Sequence, residues 1–127
     1  MAVNYKPVPK KNPSKQTDPP KYYAQVVTSG DINIRQIAKQ VASMSTVSPI
    51  DTLAAIEAFL EVVPEALADG KIVRLGDFGS FSVQVSSEGA LVADELTSHN
   101  IKKVSVKFRP GKEFAKVTNS IDFSKTS

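Results

Sequence analysis

Two short stretches restrict the folds open to this chain more than anything else in it. They are Val73-Arg74-Leu75-Gly76-Asp77-Phe78-Gly79-Ser80-Phe81 and Val104-Ser105-Val106-Lys107-Phe108-Arg109-Pro110-Gly111-Lys112. Each puts phenylalanines on the apolar side of a strand, beside glycines that let the backbone turn where a Cβ would clash. Read as a strand from Lys103 to Arg109, the second stretch sends Val104, Val106 and Phe108 to one face. Lys103, Ser105, Lys107 and Arg109 go to the other, because side chains alternate along a strand. One face builds a core. The other carries cations with a two-residue repeat of ~6.6 Å, close to the spacing of phosphates along a nucleic-acid strand.

The elements around these strands are readable from their punctuation. Asn33 and Gln36 resemble a capping box, and Ile34, Ile37, Ala38, Val41 and Met44 recur at helical spacing, which predicts a helix from about Ile34 to Ser45. Ser48-Pro49-Ile50-Asp51 is a stronger start signal: serine accepts an orphan amide, proline fits the first turn and aspartate suits the positive end of the helix dipole. The second helix is expected to run to about Ala68, with Gly70 closing it and Pro64 kinking its last turns. Leu53, Ile56, Leu60, Val63 and Leu67 mark one apolar stripe, and Ile50, Ala54, Ala58, Phe59, Val62 and Ala66 widen it well beyond what one hairpin and one small sheet can cover. A second copy of the chain is the natural supplier of that cover, although alanines are also good exposed helix formers. Glu57, Glu61, Glu65 and Asp69 form a polar ridge that reads as a solvated face. Strands follow at about Ile72–Leu75 and Ser80–Ser86, then Lys103–Arg109, and Lys112 to about Ser120 reads as a closing helix.

The N-terminal segment has a different composition. Residues 1–20 hold five of the eight prolines, together with Lys10, Lys11 and Lys15, which favours extended or polyproline-like backbone over helix. We expect a tail or an edge there, dispensable for the fold, with Tyr22–Val27 as a short strand ended by Ser29-Gly30. The division is then 1–28 as a Pro/Lys-rich extension and 29–127 as the main domain. Charge follows the same partition, although the net value is only +3. Residues 1–27 carry five lysines against Asp18, residues 28–80 four bases against seven acids, and residues 81–127 seven bases against five acids. A chain of 127 residues with no cysteine has a modest core and no disulfide framework, and shows neither a secretory segment nor a long apolar run. A reducing cytoplasm is the expected setting.

The order of elements, with a helical hairpin, Leu75-Gly76-Asp77-Phe78-Gly79-Ser80-Phe81 between strands and Phe108-Arg109-Pro110-Gly111-Lys112 before a final helix, resembles the bacterial HU/IHF family of histone-like DNA-binding proteins. The match covers roughly Asp31 to Ser120, and the Pro19-Pro20-Lys21-Tyr22-Tyr23-Ala24 stretch looks like the extension of a divergent branch. The resemblance implies an α+β fold: a helical hairpin, a small antiparallel sheet and a C-terminal helix, in an intertwined homodimer whose sheets form a saddle over duplex DNA. Carried over residue by residue, it implies that Lys103, Lys107, Arg109 and Lys112 contact backbone phosphates, without strong sequence preference, in a nucleoid-associated architectural role. Typical members carry a long arginine-rich arm ending in a proline wedge. Here 86–102 holds no arginine and no proline, so minor-groove cations and wedge are not carried over.

Other readings of the same residues differ in class. Lysines on one face of a strand are also found on solvated edges, where they deter edge-to-edge pairing. The N-terminal lysines serve solubility as readily as a phosphate clamp with Tyr5, Tyr22 and Tyr23. Gly76 and Gly79 match the spacing of the short loop of RNA-binding KH domains, but Asp77 between them repels phosphate. The Ser98-His99 pair near Asp94 lacks an oxyanion site and a nucleophile elbow. No Walker loop, dinucleotide fingerprint or metal-ligand cluster occurs. We therefore expect no enzyme, no cofactor, no metal, no small-molecule substrate and no membrane partner. The rival to DNA binding is a dimeric scaffold of the same fold that has lost it and contacts proteins through the acidic connection Ser87–Ile101 and the N-terminal strand.

Overall fold

A computed structural model describes residues 2–15 and 17–126. The chain divides into two compact units: residues up to Asn33 with those from Val117 onward, and Ile34–Lys116.

In the second unit, α1 (Ile34–Ser43) and α2 (Pro49–Ala68) form the expected hairpin. The Ser48 hydroxyl accepts the Asp51 amide at 3.2 Å, satisfying one of the helix's orphan donors and fixing its first turn. At the other end Gly70, with φ at +81°, reverses the chain. The Gly70 amide donates to the Leu67 carbonyl and the Lys71 amide to the Ala66 carbonyl, the paired bonds of a Schellman ending. The helix passes through Pro64 without terminating.

β3 (Val73–Arg74), β4 (Gly79–Ser87) and β5 (Ile101–Pro110) form an antiparallel sheet in that order. Phe81 stands opposite Phe108, Val83 opposite Val106 and Val85 opposite Val104, so both alternating patterns converge on one apolar face. At its root the rings of Phe78, Phe81, Phe108 and Phe114 pack with centroid separations of 4.8 to 5.9 Å. The fourth ring comes from α3 (Lys112–Ser120), whose bounds match the sequence reading.

The core of a single chain is thin. Buried apolar side chains, among the described residues, are Ala38, Ala42 and Leu67. Of the expected helical stripes Leu53, Ile56 and Val63 are half-buried, but other large side chains stay open: Met44 is 86% and Ile50 81% exposed, and Ile37, Val41, Phe59, Leu60 and Val62 are also exposed. The outer part of the sheet's apolar face is likewise uncovered at Val85, Val104 and Val106.

The first unit departs from the expected tail. Residues Ala2–Lys10 form a nine-residue strand, β1, which pairs antiparallel with β2 (Lys21–Val27) and parallel with β6 (Asp122–Lys125). β1 is therefore the centre of a three-stranded sheet in the order β2-β1-β6. Its prolines are tolerated because of where they fall. β6 pairs only as far as Tyr5, and Thr126 closes the ladder by donating to the Tyr5 carbonyl through its amide at 2.8 Å and its hydroxyl at 3.2 Å. From Lys6 onward β1 has β2 alone beside it, so Pro7 and Pro9 occupy a free edge, where a missing amide breaks no ladder and discourages further pairing. Among the described residues no helix is long and apolar enough to cross a membrane.

Candidate nucleic-acid interface

The two glycine motifs are interlocked, and the interlock aims the cations. Gly79 has φ at +143°, and a Cβ there would lie 2.5 Å from the Arg109 carbonyl oxygen and 2.9 Å from the Phe108 ring. A Cβ on Gly111 would run into the Asp77 carbonyl. Both positions require close backbone approach that other residues forbid. The Gly111 amide donates to the Phe78 carbonyl at 3.0 Å and the Leu75 amide to the Gly79 carbonyl at 2.9 Å. The end of β5 is thus tied to the β3–β4 turn, and Arg109 is held in register with it.

Opposite the valines and phenylalanines lies a polar face. Ser80 stands opposite Arg109, Ser82 opposite Lys107, Gln84 opposite Ser105 and Ser86 opposite Lys103. Small hydroxylic neighbours on β4 leave the basic side chains of β5 unobstructed, and Lys103, Lys107 and Arg109 are all exposed. Lys112 is exposed as well, but it belongs to the first turn of α3. It extends the positive surface past the strand without joining the strand's row. Among the described residues none of these four side chains has a carboxylate within ion-pair distance; the ion pairs found are Lys102 with Glu88 and Lys116 with Glu113, both at 3.5 Å.

One cation was missed in the sequence. Arg74 pairs with Ser80, which pairs with Arg109, so two arginines flank a serine in one cross-strand row, two strand spacings or ~10 Å apart. Arg74, Ser80, Arg109 and the motif glycines line an open cavity of about 260 Å³. The signal was available only by combining two hairpin registers, since no local pattern in Ile72–Leu75 distinguishes Arg74 from a solvated charge.

The connection between β4 and β5 is short and folded on itself rather than drawn out as an arm. The ladder slips between Ser86 and Ser87, leaving Lys102 outside the pairing to meet Glu88. The Glu88 amide donates to the Asn100 carbonyl at 2.8 Å. Thr97 and Asn100 cap each other around a 3-10 turn that holds His99 on the surface. Leu96, Thr97 and Ser98 come together with Val85, Ser87 and Ile101 around a cavity of about 360 Å³. Val85 belongs to the valine face, so these residues of the connection gather with that face and not with the row of Lys103, Lys107 and Arg109.

A helical hairpin, a three-stranded sheet locked by paired glycine motifs and a closing helix define an HU-type α+β domain. The chain belongs to the HU-HIG family, described as an HU domain fused to a wHTH, Ig or glycine-rich motif, whose model matches residues 1–125. A crystal structure from Bacteroides vulgatus ATCC 8482, described as a "Putative bacterial DNA binding protein", is similar to it with a TM-score of 0.64 at 18% identity. That likeness covers 98% of this chain and 49% of the other, so the chain spans about half the length of that protein. No curated protein matches it.

Proposed function

We infer that the protein binds duplex DNA through backbone phosphates, with little sequence preference, as a homodimeric architectural protein of the bacterial nucleoid. The observation that carries this is the exposed row of Lys103, Lys107 and Arg109 on the polar face of the sheet, joined across Ser80 by Arg74 and free of carboxylate partners among the described residues. Phosphate contacts position a protein on DNA without reading sequence. Membership of an HU-domain family and a neighbour described as DNA-binding support the same partner.

The dimer rests on the uncovered side chains of α1, α2 and the valine face, since soluble monomers rarely leave contiguous apolar surface of that kind open. A second copy doubles the row of cations. If about six phosphates are neutralised, log K falls with log salt at a slope of about −5. With neither arginine nor proline in the connection, bending is expected to stay far below that of wedge-inserting proteins. Salt titration against random duplex DNA tests the reading. The pair Lys107→Ala and Arg109→Ala, which removes four charges from a dimer, should bring the slope to about −2 and weaken binding alike on all sequences. Equal binding by wild type and variant would sink it.

A further inference from the structure

The first unit carries a second basic surface, separate in sequence from the row on β5 and unused by the proposed function. Cross-strand partners share a face of a sheet. The register of β1 with β2 therefore sorts Val3, Tyr5, Pro7 and Pro9 with Tyr22, Ala24 and Val26, and sorts Lys6, Val8 and Lys10 with Lys21, Tyr23 and Gln25. Within this hairpin the charged residues fall on one face, and all of them are lysines. At the loop end of the hairpin Lys10 lies directly opposite Lys21, an arrangement of like charges that destabilises a sheet unless something between them is negative. The Lys10 ammonium sits 5.9 Å from the centre of the Tyr23 ring, where the ring's negative face helps hold it.

The loop that joins the strands adds to this surface. Asn12 organises it: its side-chain carbonyl accepts from the Ser14 amide at 3.1 Å and the Ser14 hydroxyl at 2.8 Å, and its backbone carbonyl accepts the Lys15 amide at 3.1 Å. This Asx-type turn returns Lys15 towards the strands. Lys10, Lys11, Lys15, Lys21 and Tyr23 then line an open cavity of about 420 Å³ in which Asp18 is the one acid among the described lining residues. Four lysines, a tyrosine ring and, among the described lining residues, a single carboxylate give this opening a positive balance of charge.

We propose that the tip of the β1–β2 hairpin is a second nucleic-acid contact, taking the phosphodiester backbone of duplex DNA between Lys10, Lys11, Lys15 and Lys21. It is distinct from the β5 row and supplies phosphate contacts that the short β4–β5 connection does not. Lysine point charges suit a backbone whose phosphates vary in orientation, whereas base recognition would call for forked donors. The occupant also relieves the repulsion between Lys10 and Lys21, so binding and ordering of the hairpin end are coupled.

The test uses the full chain, a fluorescent random duplex and a fluorescent polyglutamate of similar charge, with anisotropy followed over a range of salt. Replacing all four lysines by glutamine should leave the circular dichroism spectrum unchanged, because all four are exposed. It should also make the salt slope shallower by at least about 2, since each lost phosphate contact removes about 0.9. Arginine at the same four positions should restore the slope. If the glutamine variant does not fold, the pair Lys10→Gln and Lys21→Gln removes only the opposed charges and should give about half the change. An unchanged slope and affinity in a folded glutamine variant, while the Lys107 and Arg109 variant loses binding, overturns the hairpin site and leaves the β5 reading standing. The reverse result upholds the hairpin and removes the β5 row. Loss of polyglutamate binding with duplex affinity intact would identify an acidic polypeptide as the occupant and also overturn the proposal.

Discussion

Replacing Gly79 by alanine is the sharpest perturbation of this fold, because two independent penalties fall on one methyl group. The backbone there, at φ +143° and ψ −166°, lies in a region that is essentially reserved for glycine and costs other residues about 1–3 kcal/mol. The added Cβ would also stand 2.5 Å from the Arg109 carbonyl and 2.9 Å from the Phe108 ring. The carbonyl cannot yield without moving β5, and overpacking of that kind costs about 1–3 kcal/mol more. We expect a loss of about 4 kcal/mol, or a fall in melting temperature of about 15 °C for a chain of this size. Urea and thermal unfolding by circular dichroism measure it. Gly89→Ala is the matched control: a Cβ there meets nothing within 4 Å and the backbone is not left-handed, so the change should stay within about 0.5 kcal/mol of wild type. A Gly79→Ala loss below about 1 kcal/mol, or an equal loss in the control, would refute the interlock of the two motifs.

Three further outcomes are expected. Ser48→Ala removes the side-chain acceptor of the Asp51 amide and should lower stability by about 1 kcal/mol in chemical denaturation. Sedimentation equilibrium should show a dimer whose dissociation on dilution coincides with loss of helical ellipticity, since Met44, Ile50 and Val62 stay open in one chain; a folded monomer at micromolar concentration would contradict it. Deleting residues 1–10 removes β1, the central strand to which β2 and β6 both pair. Amide exchange should then lose all protection in those two strands while α2, β4 and β5 keep theirs.

Legibility in the sequence followed the locality of each signal. α2 was readable at both ends because its start depends on Ser48 and Pro49 and its stop on Gly70, all close to the helix. β4 and β5 were readable because strict alternation places Phe81, Val83, Val85, Val104, Val106 and Phe108 on one face without reference to any partner. That same periodicity put Lys103, Lys107 and Arg109 on one face of β5, where the structure has them. β1 and β6 were not legible. The prolines of β1 argue locally for an unpaired tail, and only the short reach of β6, which stops opposite Tyr5, explains why Pro7 and Pro9 are harmless. β6 has four residues and a single large apolar side chain, Phe123, and its partner lies at the far end of the chain. Arg74 escaped for a related reason: its place beside Arg109 is a property of two registers and of no window of sequence.

The parallel pairing of β1 with β6 also sets an order of events in time. Ala2 meets Asp122, so this ladder joins two strands that the whole of the second unit separates in sequence. Closing so long a loop in an otherwise unfolded chain costs on the order of 4 kcal/mol in chain entropy, more than a four-residue ladder readily repays. β6 therefore docks last, after the intervening helices and strands have shortened the path between the ends. Until then β1 and β2 exist as a bare two-stranded hairpin, a marginal structure in water. Pro7 and Pro9 on its edge and the lysines at its tip discourage that hairpin from pairing with strands of other chains.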